Sequence, residues 1–184
     1  MPSGIIEKSN KGFFANEIEY NGKYATIARR LKEDLGVFPT LREVYVTAAI
    51  LGFLHGRKET PDTTEKVGEA SIFPTELNAR KADLRLIYRI MMLVEDEPSF
   101  TIDDYMNRAF RDDSDIENPE NLKRNMAVFN SYACGGLEFM DEKLGNLENT
   151  DAVIDALYEL VHGFAVDIGM LDGEELPDFE PTFD

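Results

Sequence analysis

Thr40-Leu41-Arg42-Glu43 runs directly into Val44, Tyr45, Val46, Ala48, Ala49, Ile50, Leu51, Phe53 and Leu54, and this junction limits the fold more than any other stretch. The threonine oxygen can take one of the backbone N–H groups that a first helical turn leaves without a partner, while Glu43 reaches back to the cap. The residues that follow are apolar on nearly every side of a helix, and such a helix must be surrounded by other elements. It is expected to be the central helix of a helical domain, with Val46, Ile50 and Phe53 nearly inaccessible. The apolar run from Val44 to Leu54 is too short to cross a bilayer, which takes roughly 18 residues or more. Gly52 and Gly56 close the segment, bringing another backbone near or ending the helix.

Other segments repeat the helical period around it. Tyr24, Ile27, Ala28 and Leu31 recur at three- and four-residue steps before Gly36, which predicts a helix from about Lys23 to Leu35. Gly56 to Ser71, with Pro61 and several threonines, reads as an exposed loop. A third helix is predicted over Pro74 to Glu95, with Leu77, Leu84, Ile87, Tyr88, Met91 and Met92 inward. A short fourth follows Thr101, with Asp103 and Asp104 in its first turn, where the helix dipole favours anions. Asn118-Pro119 opens a fifth with asparagine as cap, and Gly135-Gly136 is expected to interrupt it as a kink or turn. A last helix is expected from Asn149 or Thr150, with His162 at its end. Phe14, Asn16, Ile18 and Tyr20 alternate loosely, as a short strand or extended arm would. The expected fold is all-α: a single compact multi-helix domain of about six helices around a buried central helix. Residues 1–22 form an irregular N-terminal arm, 23–168 the helical domain and 169–184 an acidic C-terminal tail.

Charge narrows the function classes. The chain of 184 residues carries 36 acidic and 19 basic side chains, a formal net charge of −17. A surface that negative repels phosphates and anionic lipid, so neither plain duplex DNA nor a membrane is expected as a direct partner. A protein partner with a basic surface is. The charge is concentrated: Glu95 to Glu117 and Asp167 to Asp184 each hold a net −7, leaving −3 for the rest. The acids in these two segments, Asp103, Asp104, Asp112, Asp113, Asp115, Glu117, Asp172, Glu174, Glu175, Asp178 and Glu180, are the candidate partner-binding residues. Lys81, Arg85 and Arg89 step by four along the third helix and form a candidate anion-binding face, against the plainer reading of a solvated charged face.

Catalytic and metal signatures are sparse. His55 and His162 fit no metal-ligand spacing, and as helix-end cations they complement the dipole. The single cysteine, Cys134, excludes an intrachain disulfide and a four-cysteine zinc site, and its apolar flanks fit a core residue. Asp112-Asp113-Ser114-Asp115-Ile116-Glu117 resembles half of a calcium loop but lacks its glycine and distal glutamate. No phosphate-binding glycine loop and no G-x-S-x-G elbow is present. Catalytic residues, cofactor and metal are all expected to be none, and the location cytoplasmic, with Cys134 reduced.

Two stretches carry a family likeness. Val37-Phe38-Pro39-Thr40-Leu41-Arg42-Glu43, running through Val46-Thr47-Ala48-Ala49-Ile50-Leu51-Gly52-Phe53 to Gly56-Arg57-Lys58, is the first. Val128-Phe129-Asn130-Ser131-Tyr132-Ala133 with Gly135-Gly136-Leu137-Glu138 is the second. Together they resemble the DNA phosphorothioation-associated protein 4 family of bacterial DNA sulfur-modification systems, over residues 20 to 147. The resemblance implies a setting and carries no catalytic residues; the acidic tail and the acidic segment around Asp112 depart from the family pattern. The combined expectation is a non-enzymatic accessory protein of a DNA-modification or phage-defence system that binds a protein partner through acidic surfaces. Two alternatives stand beside it: a nucleic-acid mimic filling the basic groove of a DNA-binding enzyme, and a carboxylate metal enzyme using Glu43, Glu95 or Glu138.

Overall fold

A computed structural model describes residues 13–62, 70–115, 117–147, 150–167 and 169. The described elements run β1 (Ile18–Tyr20), α1 (Gly22–Arg29) with a π-helical turn at Arg30–Asp34, α2 (Leu41–Leu54), β2 (Ala70–Ile72), α3 (Pro74–Asn78), α4 (Lys81–Val94), α5 (Ile102–Phe110), α6 (Pro119–Leu144) and α7 (Thr150–Asp167). The molecule is mostly helical, and its one described sheet pairs β1 with β2 antiparallel, Ile18 opposite Ile72. The chain divides into two compact units, 1–145 and 146–184.

Local chemistry sets the boundaries in the first unit. Thr40 Oγ1 accepts the Glu43 N–H at 3.2 Å, capping α2. At the other end Gly56 takes φ +61°, and Arg57 N donates to Gly52 O at 2.8 Å, which closes the helix with a left-handed residue. Thr101 and Asp104 exchange backbone and side-chain hydrogen bonds at the start of α5. Asn118 does not cap α6 with its side chain, contrary to the sequence expectation; its Nδ2 donates to Asp115 Oδ2 at 2.8 Å.

α2 against α6 is the principal helix pair, and glycines permit its closeness. A Cβ on Gly52 would lie 1.9 Å from the Tyr132 carbonyl oxygen, and one on Gly135 would lie 2.2 Å from that of Arg57. The expected break at Gly135-Gly136 is thus corrected: α6 passes through both residues without interruption, and the glycines make room for another backbone. The predicted third helix likewise divides into α3 and α4 at Ala79-Arg80.

The face of α2 turned inward is Val44, Tyr45, Ala48, Ala49 and Gly52. Val46, Ile50 and Phe53 are only half-buried, so the expectation that they would be nearly inaccessible fails. The close backbone approach at Ala48 and Gly52 decides which side of α2 is buried and leaves part of the other side uncovered. Phe13 and Phe14 fill core space from the N-terminal arm, with Phe14 edge-on to Tyr45 and Phe129 at 6.2 and 6.1 Å. Phe14 holds φ +51°, a left-handed conformation costing a non-glycine residue about 1–2 kcal/mol, which ring burial offsets. β2 begins inside the stretch read as an exposed loop, and Ala70 there is buried.

In the second unit, α7 buries Val153 and exposes Ile154, Tyr158, Val161 and Phe164. It continues to Asp167, five residues beyond His162, so that histidine does not end it.

Candidate functional site

Glu95 leaves the end of α4 and turns inward, 6% exposed. Its Oε2 accepts from Arg108 Nη2 of α5 at 2.7 Å, and its Oε1 receives the Lys58 ammonium. Arg108, 7% exposed, also donates from Nε to Asn125 Oδ1 of α6 at 3.0 Å, and Asn125 Nδ2 donates to Asp112 Oδ2 at 2.8 Å. Tyr88 Oη of α4 donates to the Arg108 carbonyl at 2.9 Å; burial raises its pKa above the ordinary value. Burial works against the Lys58 ammonium, but the Glu95 carboxylate more than offsets this and holds the lysine pKa above its usual value. This chain of charged hydrogen bonds ties α4, α5 and α6 together, and a single deletion would strand a buried charge.

Asp113, also buried, faces the other side of α4. Its Oδ2 lies 2.8 Å from Arg85 Nε and 3.3 Å from Arg89 Nη2. The Arg89 contact is a hydrogen bond; the Arg85 nitrogen forms an ion pair but is not aligned for a hydrogen bond. Two of the three basic residues proposed to receive an external anion thus converge on an internal carboxylate. Lys81, a turn earlier, is half-buried. The spacing by four placed all three on one face but could not reveal a buried acid opposite it.

The predicted partner-binding acids separate in space. Asp103 and Asp104 are exposed in the first turn of α5, and Glu117 is exposed before α6. Asp112 and Asp113 are buried, with Asp115 half-buried. Asp172, Glu174, Glu175, Asp178 and Glu180 lie outside the described residues. The turned-in carboxylates of Asp112 and Asp113 also leave the half-loop around them without the outward ligand ring of a calcium site.

A half-open cavity of about 540 Å³ lies beside Arg108, lined from the loop after α4, from α5, from the loop before α6 and from the first turns of α6. Hydrogen bonds from Thr101 lower the Asp104 pKa, and those from Asn118 lower that of Asp115, so both carboxylates stay charged at neutral pH. Outside the cavity, α5 carries Ile102 (82% exposed), Met106 and Phe110 at four-residue steps, and α4 carries Leu86, Ile90, Leu93 and Val94 on its exposed side. α4 packs on α5, and the Arg89 guanidinium lies 5.2 Å from the centre of the Phe110 ring. One end of the α5 stripe therefore meets α4 at Arg89.

The remaining candidates have internal partners. Glu43 accepts from the Thr40 hydroxyl at 3.0 Å, while Glu138 receives Lys23 Nζ and, at 3.0 Å, the Tyr24 hydroxyl. Among the described residues, no group of three His, Cys, Asp or Glu side chains could hold a metal ion, and no helix is long and apolar enough to cross a membrane. His55 stacks on Phe139 with ring centres 4.1 Å apart. Cys134 is buried, and burial together with the Glu138 charge pushes its thiol up to about 12. Lys58 and Asn125 escaped the sequence reading. The only signal available for Asn125 was a polar residue at a core-facing step, three before Val128 and four before Phe129.

Among curated proteins and among solved structures, no significant match to this chain is found. A family model does match: DNA sulphur modification system-associated protein 4, over residues 21–162. This span includes α2, the glycine-packed α6 and the whole Glu95–Arg108–Asn125–Asp112 network, and on that match the chain belongs to the DNA sulphur modification system-associated protein 4 family.

Proposed function

We propose that this protein is a non-enzymatic accessory component of a bacterial DNA-modification or phage-defence system, and that it works by binding a protein partner with a basic surface. The observation that carries the reading is the exposed stripe Ile102, Met106 and Phe110 on α5, flanked in the same helix by Asp103 and Asp104. Apolar side chains at such exposure gain free energy only when covered, roughly 25 cal/mol per Å² of area removed from water. The acids beside them favour a partner whose contact surface is apolar with a positive rim. Membership of a family associated with DNA sulphur modification supplies the setting: the partner is sought among the other proteins of such a system.

The experiment is surface plasmon resonance of the full chain against each purified component of the modification system from the same genome, at low and high salt. One component is expected to bind, with an association rate that falls as salt rises, because screening shortens from about 10 Å at 0.1 M to about 3 Å at 1 M. Replacing Ile102, Met106 and Phe110 together by Ser should abolish that binding while leaving the thermal melt close to wild type. Undiminished binding by the triple variant would remove this face from the interaction, and tight binding of plain duplex DNA by the wild type would contradict the reading as a whole.

A further inference from the structure

Beyond the Glu95–Arg108 pair in its wall, the cavity holds charges of both signs that do not pair with each other. Glu97, Asp104, Asp112 and Asp115 line it, and their hydrogen-bond donors are neutral. Ser99 Oγ donates to Glu97 at 2.9 Å, and Thr101 N and Oγ1 donate to Asp104 at 2.8 and 2.6 Å. Asn125 Nδ2 serves Asp112 and Asn118 Nδ2 serves Asp115, each at 2.8 Å. Arg111 and Arg124 line the same cavity and also donate to neutral groups, Asn107 Oδ1 at 2.6 Å and Asn121 Oδ1 at 2.5 Å. Arg108 adds an independent observation: its Nε and Nη2 are used by Asn125 and Glu95 and its guanidinium lies 5.0 Å from the Phe100 ring centre, but its Nη1 has no hydrogen-bond partner although the residue is 7% exposed. A buried guanidinium edge left unmade costs more than an ordinary missing hydrogen bond, so the site calls for an acceptor there.

The balance of charge selects the ligand. Arg111, Arg124 and the open edge of Arg108, whose other edge Glu95 already holds, ask for a carboxylate, and four carboxylates without a cationic partner ask for more than one positive group. A residue inside a polypeptide has lost its free carboxylate to the peptide bond and answers only half of this demand. We propose that the cavity binds a small dibasic carboxylic acid, of the chemistry of free arginine, lysine or ornithine, with its carboxylate on Arg108 Nη1 beside Arg111 and Arg124 and its two cationic groups among Glu97, Asp104, Asp112 and Asp115. The volume of about 540 Å³ admits such a molecule and falls within the roughly 300–1,000 Å³ of small-molecule sites. The cavity shares Asp104 with the partner-binding face but uses none of its apolar stripe, and the proposal stands or falls without that stripe.

The test is isothermal titration calorimetry of the full chain with L-arginine and with L-lysine, set against L-arginine amide, which lacks the carboxylate, and Nα-acetyl-L-arginine, which lacks the α-ammonium. At least one free amino acid is expected to bind saturably at submillimolar to millimolar concentration. Each blocked analogue should lose roughly 10-fold or more, the consequence of deleting a hydrogen bond between charged groups. Arg108→Lys tests the buried contact, and Arg124→Gln and Glu97→Gln, at less buried positions, supply variants that keep their fold by thermal melt; each should weaken binding by roughly 5-fold or more. Absence of saturable heat with both amino acids overturns the proposal. So does equal binding of L-arginine amide, and so does binding that folded variants at Arg124 and Glu97 leave unchanged.

Discussion

Gly136 of α6 lies directly against the backbone of Ala48 of α2: a Cβ on the glycine would stand 1.8 Å from the Ala48 carbonyl oxygen. The obstacle is main chain in the middle of a helix, which cannot swing aside as the tip of a side chain could. The likeness to the family runs through both partners of this contact, because Ala48 and Gly136 belong to the two matching stretches.

Gly136→Ala and Gly52→Ala should each force α2 and α6 apart. Overpacking of this kind costs about 1–3 kcal/mol, and a backbone obstacle puts these variants at or above the top of that range. Gly163→Ala is the control: it lies inside α7 with nothing within 4 Å of the added carbon, and should stabilise by about 0.5–1 kcal/mol through helix propensity. Urea titrations of the three variants check the order. Equal midpoints for Gly136→Ala and wild type would refute the close contact.

The Glu95–Arg108 pair makes a second forecast. Arg108→Met leaves the buried Glu95 carboxylate with only the half-exposed Lys58, and breaking such a buried pair costs about 3–5 kcal/mol. Lys58 touches the same carboxylate from a side chain 45% exposed, so Lys58→Met should cost less than about 1 kcal/mol after solvent screening. A double-mutant cycle through Glu95→Gln separates the two couplings, and comparable losses for Lys58→Met and Arg108→Met would mean that burial does not rank them.

Cys134 should be chemically silent in the native state. It is buried in α6, and with its thiol pushed up to about 12 the reactive thiolate is a trace species at pH 8. Iodoacetamide at that pH should leave the folded chain unlabelled and modify it fully in urea. Rapid native labelling would show that the helix opens locally or that the thiol is activated.

Acid should loosen the contact between α1 and α6. Burial acts to raise the Glu138 pKa, but hydrogen bonds from Lys23 and Tyr24 outweigh it and bring the folded value below the ordinary 4.5. A depressed carboxylate contributes stability that is fully present above its unfolded pKa and is lost as pH falls through the folded one. Glu138→Gln should therefore lower stability at pH 7 and flatten the decline as pH falls below the ordinary value of 4.5, measured by urea midpoints across pH. Parallel pH curves for variant and wild type would leave Glu138 without a part in acid sensitivity.

Residue by residue, the sequence determined what neighbours along the chain decide. Thr40 and Glu43 fixed the start of α2, Thr101 and Asp104 that of α5, and Gly36 the stop of the first helix, because capping and left-handed turns involve partners within a few positions. Helical periodicity was enough to give the all-α class, and two stretches of sequence were enough to indicate the family. Tertiary structure decided the rest. Gly135-Gly136 reads the same in a kink and in a close helix crossing, and only the arrival of Ala48 and Arg57 from α2 and the turn after it makes it a crossing. Val46, Ile50 and Phe53 match the apolar residues on the opposite side of α2 in hydropathy, and the burial of one side over the other follows from which side α6 approaches. Arg85 and Arg89 were legible as a basic face but not as the cations around Asp113, which sits 24 residues beyond Arg89. An ion pair across that separation depends on how α4 and α5 pack, and no spacing rule along one helix contains that information.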